Sequence, residues 1–367
     1  MSLGALTVDA CQKAVEDAGL RMDDIDGLSN YPNPSRVGAG SVQGVDLVGV
    51  NYVARAFQMK QLRWHSEITQ GTVTAALINA VAAVAAGACN YALVWRSMFN
   101  PPGHHNVAAA PRAGGESQFS LPYGFSGPAA FGMPYARYME KYGAKREHMA
   151  THIVNNRKNA SMNPNSVFFG QPISREDYLT CRMVADPMSI LDCDMYVDGA
   201  AAVVVTTAER AKDLRQPPAY IAGFAQSMGY THSPVTELEG IMESEQLLAK
   251  NLWEASGFQP KDIDQPNVYD GFSPFVYFWL ENLGFCKEGE AFEFIQNGRI
   301  ELGGACPLNT AGGNLGVGRM HGMPHVSEAV QQIQGRCGPR QVKNAEVTLA
   351  VVGAPNMAGG LVFCKNP

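Results

Sequence analysis

The chain has 367 residues, 46% of them hydrophobic, with 38 glycines and a formal charge of −6, a profile that fits a well-packed α/β protein of about two domains. The acidic balance and the lack of any Lys/Arg cluster argue against nucleic acid or anionic lipid as the main partner and leave a small molecule as the expected one. Eight cysteines form no Cys-x-x-Cys pair and have no histidine at zinc spacing, so they read as reduced thiols of a cytoplasmic protein, not as a disulfide framework.

Taken in chain order, an amphipathic helix begins near Ala5 and ends at Gly19; Asp24-Ile25-Asp26 follows and a strand begins. The run Thr72–Trp95 is long enough to cross a bilayer, which takes roughly 20 residues, yet its composition points elsewhere. Alanine dominates, Asn79 and Asn90 interrupt it, and Gly87 marks a helix end that leads into a strand at Tyr91–Trp95. The expectation is a helix over Gly71–Ala86, apolar all round because it is buried inside the protein, and no membrane span. Between about Phe99 and Arg182 the pattern changes. The stretch from Asn100 to Pro134 is rich in Gly, Pro and Ser and reads as an irregular surface loop; the His104–His105 pair in it lacks further ligands at metal spacing, and no metal site is expected. An apolar strand and a helix start follow over 197–214.

The design then repeats. A second amphipathic helix ends at Gly257, Asp262-Ile263-Asp264 follows at the same offset, and a strand precedes Tyr269; a helix at Val326–Gly335, a strand at Val347–Val352 and the segment Ala358–Lys365 complete the copy. Two halves of alternating helices and strands predict an α/β protein layered α/β/α/β/α, with one helix per half between two sheets. The expected organisation is an N-terminal half from 1–98 and 183–214, an inserted loop domain at 99–182, and a C-terminal half at 215–367.

These halves, with "DAGLRMDDIDGL", "MVADPMSILDCDMYVDGAAAVVV", "VYDGFSPFVYFWLENLGFCKEGEAFEF" and "NTAGGNLGVGRMHGMPHVSEAVQQIQG" in order along the chain, resemble the thiolase superfamily over nearly the whole length. The nearest branch is the thiolase-like lipid-transfer proteins, related to the sterol-carrier-protein thiolases. The resemblance implies the thiolase fold, duplicated halves in a five-layer α/β/α/β/α sandwich, and a first strand ahead of the helix near Ala5, whose place in the first sheet is left open.

The resemblance also marks where this chain departs. The family's nucleophilic cysteine sits in a Cys-x-x-Gly pattern at the mouth of the buried helix; aligning Gly71 with that glycine puts Ile68 in its place. A helix N-terminus favours a thiolate, but an isoleucine accepts no acyl group. Cys89, at the far end of the helix, reads as a core thiol. The His-Asp-Cys-Phe or Asn-Glu-Ala-Phe element becomes Tyr269-Asp270-Gly271-Phe272, and the Gly-His-Pro element becomes Gly318-Arg319-Met320-His321-Gly322. The last catalytic cysteine is absent from "VVGAPNMAGG". A phenol, a guanidinium and an imidazole remain. Arg319 is a permanent cation that binds anions. Tyr269 is a donor whose pKa a neighbouring Arg319 is expected to lower, and His321 is the natural general base or acid, with a purely structural role as the alternative. Ile68, Thr69, Gln70, Asp270 and Asn314 are the expected substrate-binding positions, with Asp270 also readable as a loop anchor.

Without the sulfur, the enolate-stabilising half of a thiolase site is still usable for a retro-aldol cleavage of a bulky β-hydroxyacyl-CoA, as in the steroid side-chain aldolases of this branch. The resemblance implies an acyl-CoA substrate that carries coenzyme A itself, no tightly bound cofactor, a homodimer, and a small OB-fold/zinc-ribbon partner subunit. Two alternatives stay open: a non-catalytic acyl-CoA or lipid-binding protein or scaffold subunit, as of an acyltransferase complex, and a thiolase or acyltransferase using a displaced cysteine, Cys89 or Cys306.

Overall fold

The computed structural model describes residues 1–32, 42–68, 71–100, 118, 127–229, 237–354 and 357–367. The first half runs α1 (Leu3–Asp17), β1 (Gly27–Asn30), α2 (Val50–Ala56), β2 (Trp64–Glu67), α3 (Val73–Ala85) and β3 (Tyr91–Met98). Helices α4 (Gly127–Tyr142), α5 (Arg146–Ser161) and α6 (Arg175–Thr180) and the paired strands β4 (Met183–Ala185) and β5 (Met188–Ser189) intervene before β6 (Gly199–Thr206) and α7 (Ala208–Ala211). The second half runs β7 (Tyr220–Met228), α8 (Leu238–Ser256), β8 (Gln265–Val268), α9 (Phe275–Asn282), α10 (Ala291–Phe294), α11 (Gly313–Val317), α12 (Met323–Ile333), β9 (Val347–Ala354) and β10 (Met357–Cys364).

The repeat read from the sequence is present at the backbone. Gly19 and Gly257 close α1 and α8 with φ of +80° and +72°, a left-handed turn that glycine enters without Cβ strain. One 3-10 turn, Met22–Asp24 or Pro260–Asp262, then leads into β1 or β8. The sheets have the orders β2-β1-β3-β6 and β7-β10-β9-β8. α1 packs on β3 and β6 from outside and α8 packs on β7 and β10, while α3 and α12 each touch strands of both sheets. The result is the five-layer α/β/α/β/α sandwich.

Position between the sheets explains α3. It is 13 residues long, about 20 Å at 1.5 Å per residue, too short for a bilayer. Among the described residues no helix is long and apolar enough to cross a membrane. Ala76 and Ala80 are fully buried, as are Ala350 and Leu361 on the second sheet, all in one apolar cluster with Val94 of the first. Close approach needs small groups on the sheet side as well: a Cβ on Gly359 would lie 2.3 Å from Thr74 Oγ1.

The structure differs from a regular two-fold repeat with an irregular insert in two places. The end of the expected surface loop is helical: α4 starts at Gly127 and carries Pro134 inside it. Burial of Tyr135 and Tyr138 in the cluster that holds Tyr277 and Phe278 outweighs the backbone bond that proline removes. Second, β10 is flanked antiparallel by both β9 and β7, whereas β6, its counterpart, pairs with β3 alone among the described residues. All eight β6 residues are half-buried, and the strand borders a groove of about 860 Å³ shared with α1, α3, α12 and β7. That groove lies on the side of β6 where the strand implied by the resemblance would pair, and none does among the described residues.

Candidate active site

The polar groups singled out in the two halves converge elsewhere, on a smaller cavity of about 220 Å³ between the sheets' ends and the inserted helices. Gly71 and Thr72 at the mouth of α3, Tyr31 after β1, Phe131 of α4, Asp194 ahead of β6, Tyr269 after β8, Phe272, Phe275, Arg319 and His321 line it. The 860 Å³ groove is larger, but its walls are mostly aliphatic, and the site is assigned to the cavity where a carboxylate, phenols and cations meet.

The glycine two residues after Tyr269 sets the position of its side chain. A Cβ on Gly271 would sit 2.7 Å from the phenol oxygen, so the side chain folds back over a position that only glycine can occupy without displacing it. Its ring stacks near Phe275, 6.1 Å between centroids, and its hydroxyl makes no hydrogen bond among the described residues. The expected lowering of its pKa is corrected: burial and the nearby Asp194 carboxylate raise it, against the pull of Arg319. Tyr269 is a neutral donor at any physiological pH.

Arg319 and His321 come from the loop between α11 and α12. The Arg319 backbone N–H donates to Met195 O at 2.7 Å, and its guanidinium lies 4.6 Å from the Tyr196 ring centre. Burial works against its charge, but Asp194, Tyr269 and Tyr196 hold its pKa above the ordinary value. His321 adopts a left-handed backbone with φ of +48°, which costs a non-glycine residue on the order of 1 kcal/mol. Its ring lies between two arginines: Arg319 Nε donates to Nε2 at 3.1 Å and Arg96 Nη2 is 2.8 Å from Nδ1. Arg96 comes from β3, is fully buried, and also reaches Tyr31 O and the Tyr31 ring face. Burial lowers its pKa to about 10, so it remains charged at neutrality.

Those contacts alter the expected role of His321. Burial, Arg96 and Arg319 push its pKa well below the usual value. A second proton on this imidazole would add a charge between two cations, and neither guanidinium can accept a hydrogen bond from it. Here His321 stands between Arg319 at the cavity wall and buried Arg96 behind it, and is a poor proton acceptor.

The remaining expected positions are distributed around the cavity. Asp270 is fully buried behind it and accepts from Asn156 Nδ2 and from the Asn314 backbone N–H, both at 2.6 Å, with His325 Nε2 at 3.2 Å. It ties the Tyr269 loop to α5, α11 and α12, and a Cβ on Gly313 would lie 1.9 Å from its Oδ2. Asn314 bridges the same region, its Nδ2 donating to Asp194 Oδ2 at 3.4 Å. Neither lines the cavity. Ile68 also lies outside the wall: it continues β2, donates its N–H to Asn30 O at 2.9 Å and packs on the α3 cluster. Thr69, Gln70, His104 and His105 lie outside the described residues. No group of three potential metal ligands occurs among the described residues.

Sequence reasoning missed Asp194, Tyr31 and Arg96. Arg96 carried a signal, a lone cation inside the apolar strand "YALVWRSM", where a buried charge needs partners. Asp194 carried none, because its place depends on an antiparallel bridge between Cys193 and Phe272 and on its own N–H donating to Gly271 O at 3.1 Å.

No cysteine lines the cavity among the described residues. Cys89 and Cys306 are both buried, and burial raises their pKa values to about 11 and about 12; a displaced thiolate at this site has no candidate there.

A fold of duplicated halves whose mouth-of-helix site holds phenol, carboxylate and guanidinium in place of sulfur defines a thiolase-type scaffold without a thiolase nucleophile. A family model described as "Thiolase C-terminal domain-like" matches residues 231–358. The chain is 36% identical over 375 residues to a 17-hydroxy-3-oxo-4-pregnene-20-carboxyl-CoA lyase of Mycobacterium tuberculosis, across 98% of this chain and 93% of that protein. It is equally identical, across 98% and 92%, to a steroid side-chain-cleaving aldolase of Thermomonospora curvata. A solved Ltp2-ChsH2(DUF35) aldolase superposes with a TM-score of 0.87 at 33% identity, covering 99% of this chain and 93% of its own. Human mitochondrial 3-ketoacyl-CoA thiolase, at 10% identity and a TM-score of 0.69, shares the fold. The chain belongs to the thiolase superfamily, in its thiolase-like lipid-transfer-protein branch. Within it, this is a carbon–carbon lyase on a thiolase fold, of the aldolase type.

Proposed function

We propose that the protein cleaves a bulky tertiary β-hydroxyacyl-CoA carrying a steroid ring system by a retro-aldol route, with no covalent acyl-enzyme. The β-hydroxyl loses its proton, its carbon becomes a ketone, the bond to the α-carbon breaks, and the acyl-CoA leaves as an enolate. Coenzyme A arrives with the substrate and no tightly bound cofactor takes part. The observation that carries this reading is the convergence of Tyr269 and Arg319 on one cavity whose described wall contains no thiol. Arg319 and Arg96, spaced by His321, supply fixed positive charge for the developing enolate, and neutral Tyr269 supplies a hydrogen bond; preorganised donors of this kind are worth more in a closed site than in water. Phe131, Phe272 and Phe275 form an apolar aromatic wall suited to a flat alicyclic group. A volume of about 220 Å³ holds the reacting carbons, and the ring system and the coenzyme extend beyond it.

The assembly in this reading is a cytoplasmic homodimer with a small OB-fold/zinc-ribbon subunit that completes the coenzyme A site. The solved Ltp2-ChsH2(DUF35) aldolase supports a second component. Incubating the purified protein, with and without that subunit, with a tertiary β-hydroxyacyl-CoA should release a ketone and a shortened acyl-CoA. No ketone from the reconstituted complex across several ring systems would sink the reading. Thiol-dependent cleavage of a 3-ketoacyl-CoA would replace it with a thiolase.

A further inference from the structure

The lyase reading leaves the proton acceptor unassigned, and the cavity wall narrows the choice. Its described titratable groups are Tyr31, Asp194, Tyr269, Arg319 and His321. Arg319 is a permanent cation. Both His321 nitrogens face guanidinium groups. Burial raises the pKa of both phenols. One carboxylate is left.

We infer that Asp194 is the catalytic base of the cleavage, taking the β-hydroxyl proton and returning it to the α-carbon. This rests on the lyase reading and adds the residue that moves the proton. The residue is 7% exposed and held in place from two sides. Its own backbone N–H is bonded to Gly271 O at 3.1 Å, next to the Tyr269 loop, and its Oδ2 receives Asn314 Nδ2 at 3.4 Å. The Asn314 bond is long for an N–H donor, so it orients the carboxylate and leaves it basic. The groups that act on it are Arg319, Asp270 and Tyr269, with Cys193 next in the chain. Burial raises its pKa to about 7; Arg319 pulls down, Asp270 pushes up and Asn314 pulls down again. A group that titrates near the working pH is suited to accept and return one proton in a cycle.

The step balances without a co-reactant. The hydroxyl O–H bond breaks and its proton goes to Asp194. The oxygen's electron pair forms the ketone C=O while the Cα–Cβ bond breaks, and that bonding pair passes to the thioester as an enolate beside Arg319 and Tyr269. The protonated Asp194 then donates to Cα, which restores the carboxylate and completes the acyl-CoA. The oxidation of the carbinol carbon to a ketone is matched by the electron pair that the α-carbon keeps, so no external oxidant or reductant is needed.

The test uses the protein with its partner subunit and compares wild type, Asp194→Asn and Asp194→Glu. Ketone release is followed from pH 5.5 to 9, about 1.5 units below to 2 above the carboxyl, and binding of a substrate analogue lacking the β-hydroxyl is titrated in parallel. Wild-type kcat/KM should fall about tenfold per unit below about pH 7, as the carboxylate is protonated. Asp194→Asn should lose about 10²- to 10⁴-fold in kcat and the acid limb with it. It should still bind the analogue within about threefold of wild type, and Asp194→Glu should recover part of the rate. Asn at 194 with kcat within about threefold and the limb intact overturns the assignment. So does loss of analogue binding in step with loss of rate, which would make Asp194 structural. A wild-type complex that binds the analogue but releases no ketone overturns the lyase reading instead, and the base with it.

Discussion

At the scale of single residues the site works by what each group is prevented from doing. Tyr269 is kept protonated by burial and by Asp194, His321 is kept neutral by burial and by two arginines, and Arg96 is fully buried without losing its charge. Gly271 belongs to this set because any side chain there meets the Tyr269 hydroxyl at 2.7 Å. Tyr269→Phe is expected to lower kcat by about 10²-fold, the effect of removing one preorganised donor. Gly271→Ala should lower it in the same sense by displacing the phenol. In the Tyr269→Phe background the alanine should cost little more, because both substitutions remove one interaction. Additive losses in that double-mutant cycle would mean that Gly271 does not act through Tyr269.

At the scale of elements the buried helix governs. α3 lies between two sheets, and Ala76, Ala80 and Gly359 set how near they approach. Gly359→Val should destabilise the protein by about 1–3 kcal/mol through overpacking against Thr74, read as a lower denaturant midpoint at unchanged m-value. Gly240, on α8, has no atom within 4 Å of a built Cβ, and Gly240→Ala should be neutral or slightly stabilising. An equal loss in both variants would show that general glycine replacement, not the helix contact, is being measured. In helix α4 packing overrides local preference. Its glycines and proline suggested a loop, and only its packing against α8 and β4 makes it a helix, because burial of two tyrosines exceeds the local propensity cost.

At the scale of the whole molecule, buried titratable groups couple the fold to pH. His152 is fully buried on α5, and burial lowers its pKa to about 4 despite Asp270. Its folded pKa is depressed below the unfolded value of about 6.5, so the stability it allows is complete above pH 6.5 and is lost as pH falls towards 4. The size is up to about 3 kcal/mol. Asp194, raised to about 7, acts in the same window with the opposite sign, so the comparison of variants is the clean measurement. Urea unfolding of wild type and His152→Gln between pH 7 and 4 should show their stability difference shrinking as pH falls. A constant difference would mean that folding does not depress the His152 pKa.

The sequence by itself determined the duplicated design, the α/β/α/β/α layering, the burial of the Ala-rich helix and the absence of a cysteine at its mouth. Each depends on local periodicity, glycine placement or residue identity at a known offset, and none requires knowing what lies across the fold. It also singled out Tyr269, Arg319 and His321. Their protonation and the identity of their neighbours depended on tertiary structure. Asp194 and Tyr269 are 75 residues apart in the chain, Arg96 and His321 are 225 apart, and desolvation and Coulomb interaction act on distance in space. That is why the phenol expected to be acidified is instead held neutral, and why an aspartate with no motif of its own lies at the centre of the chemistry.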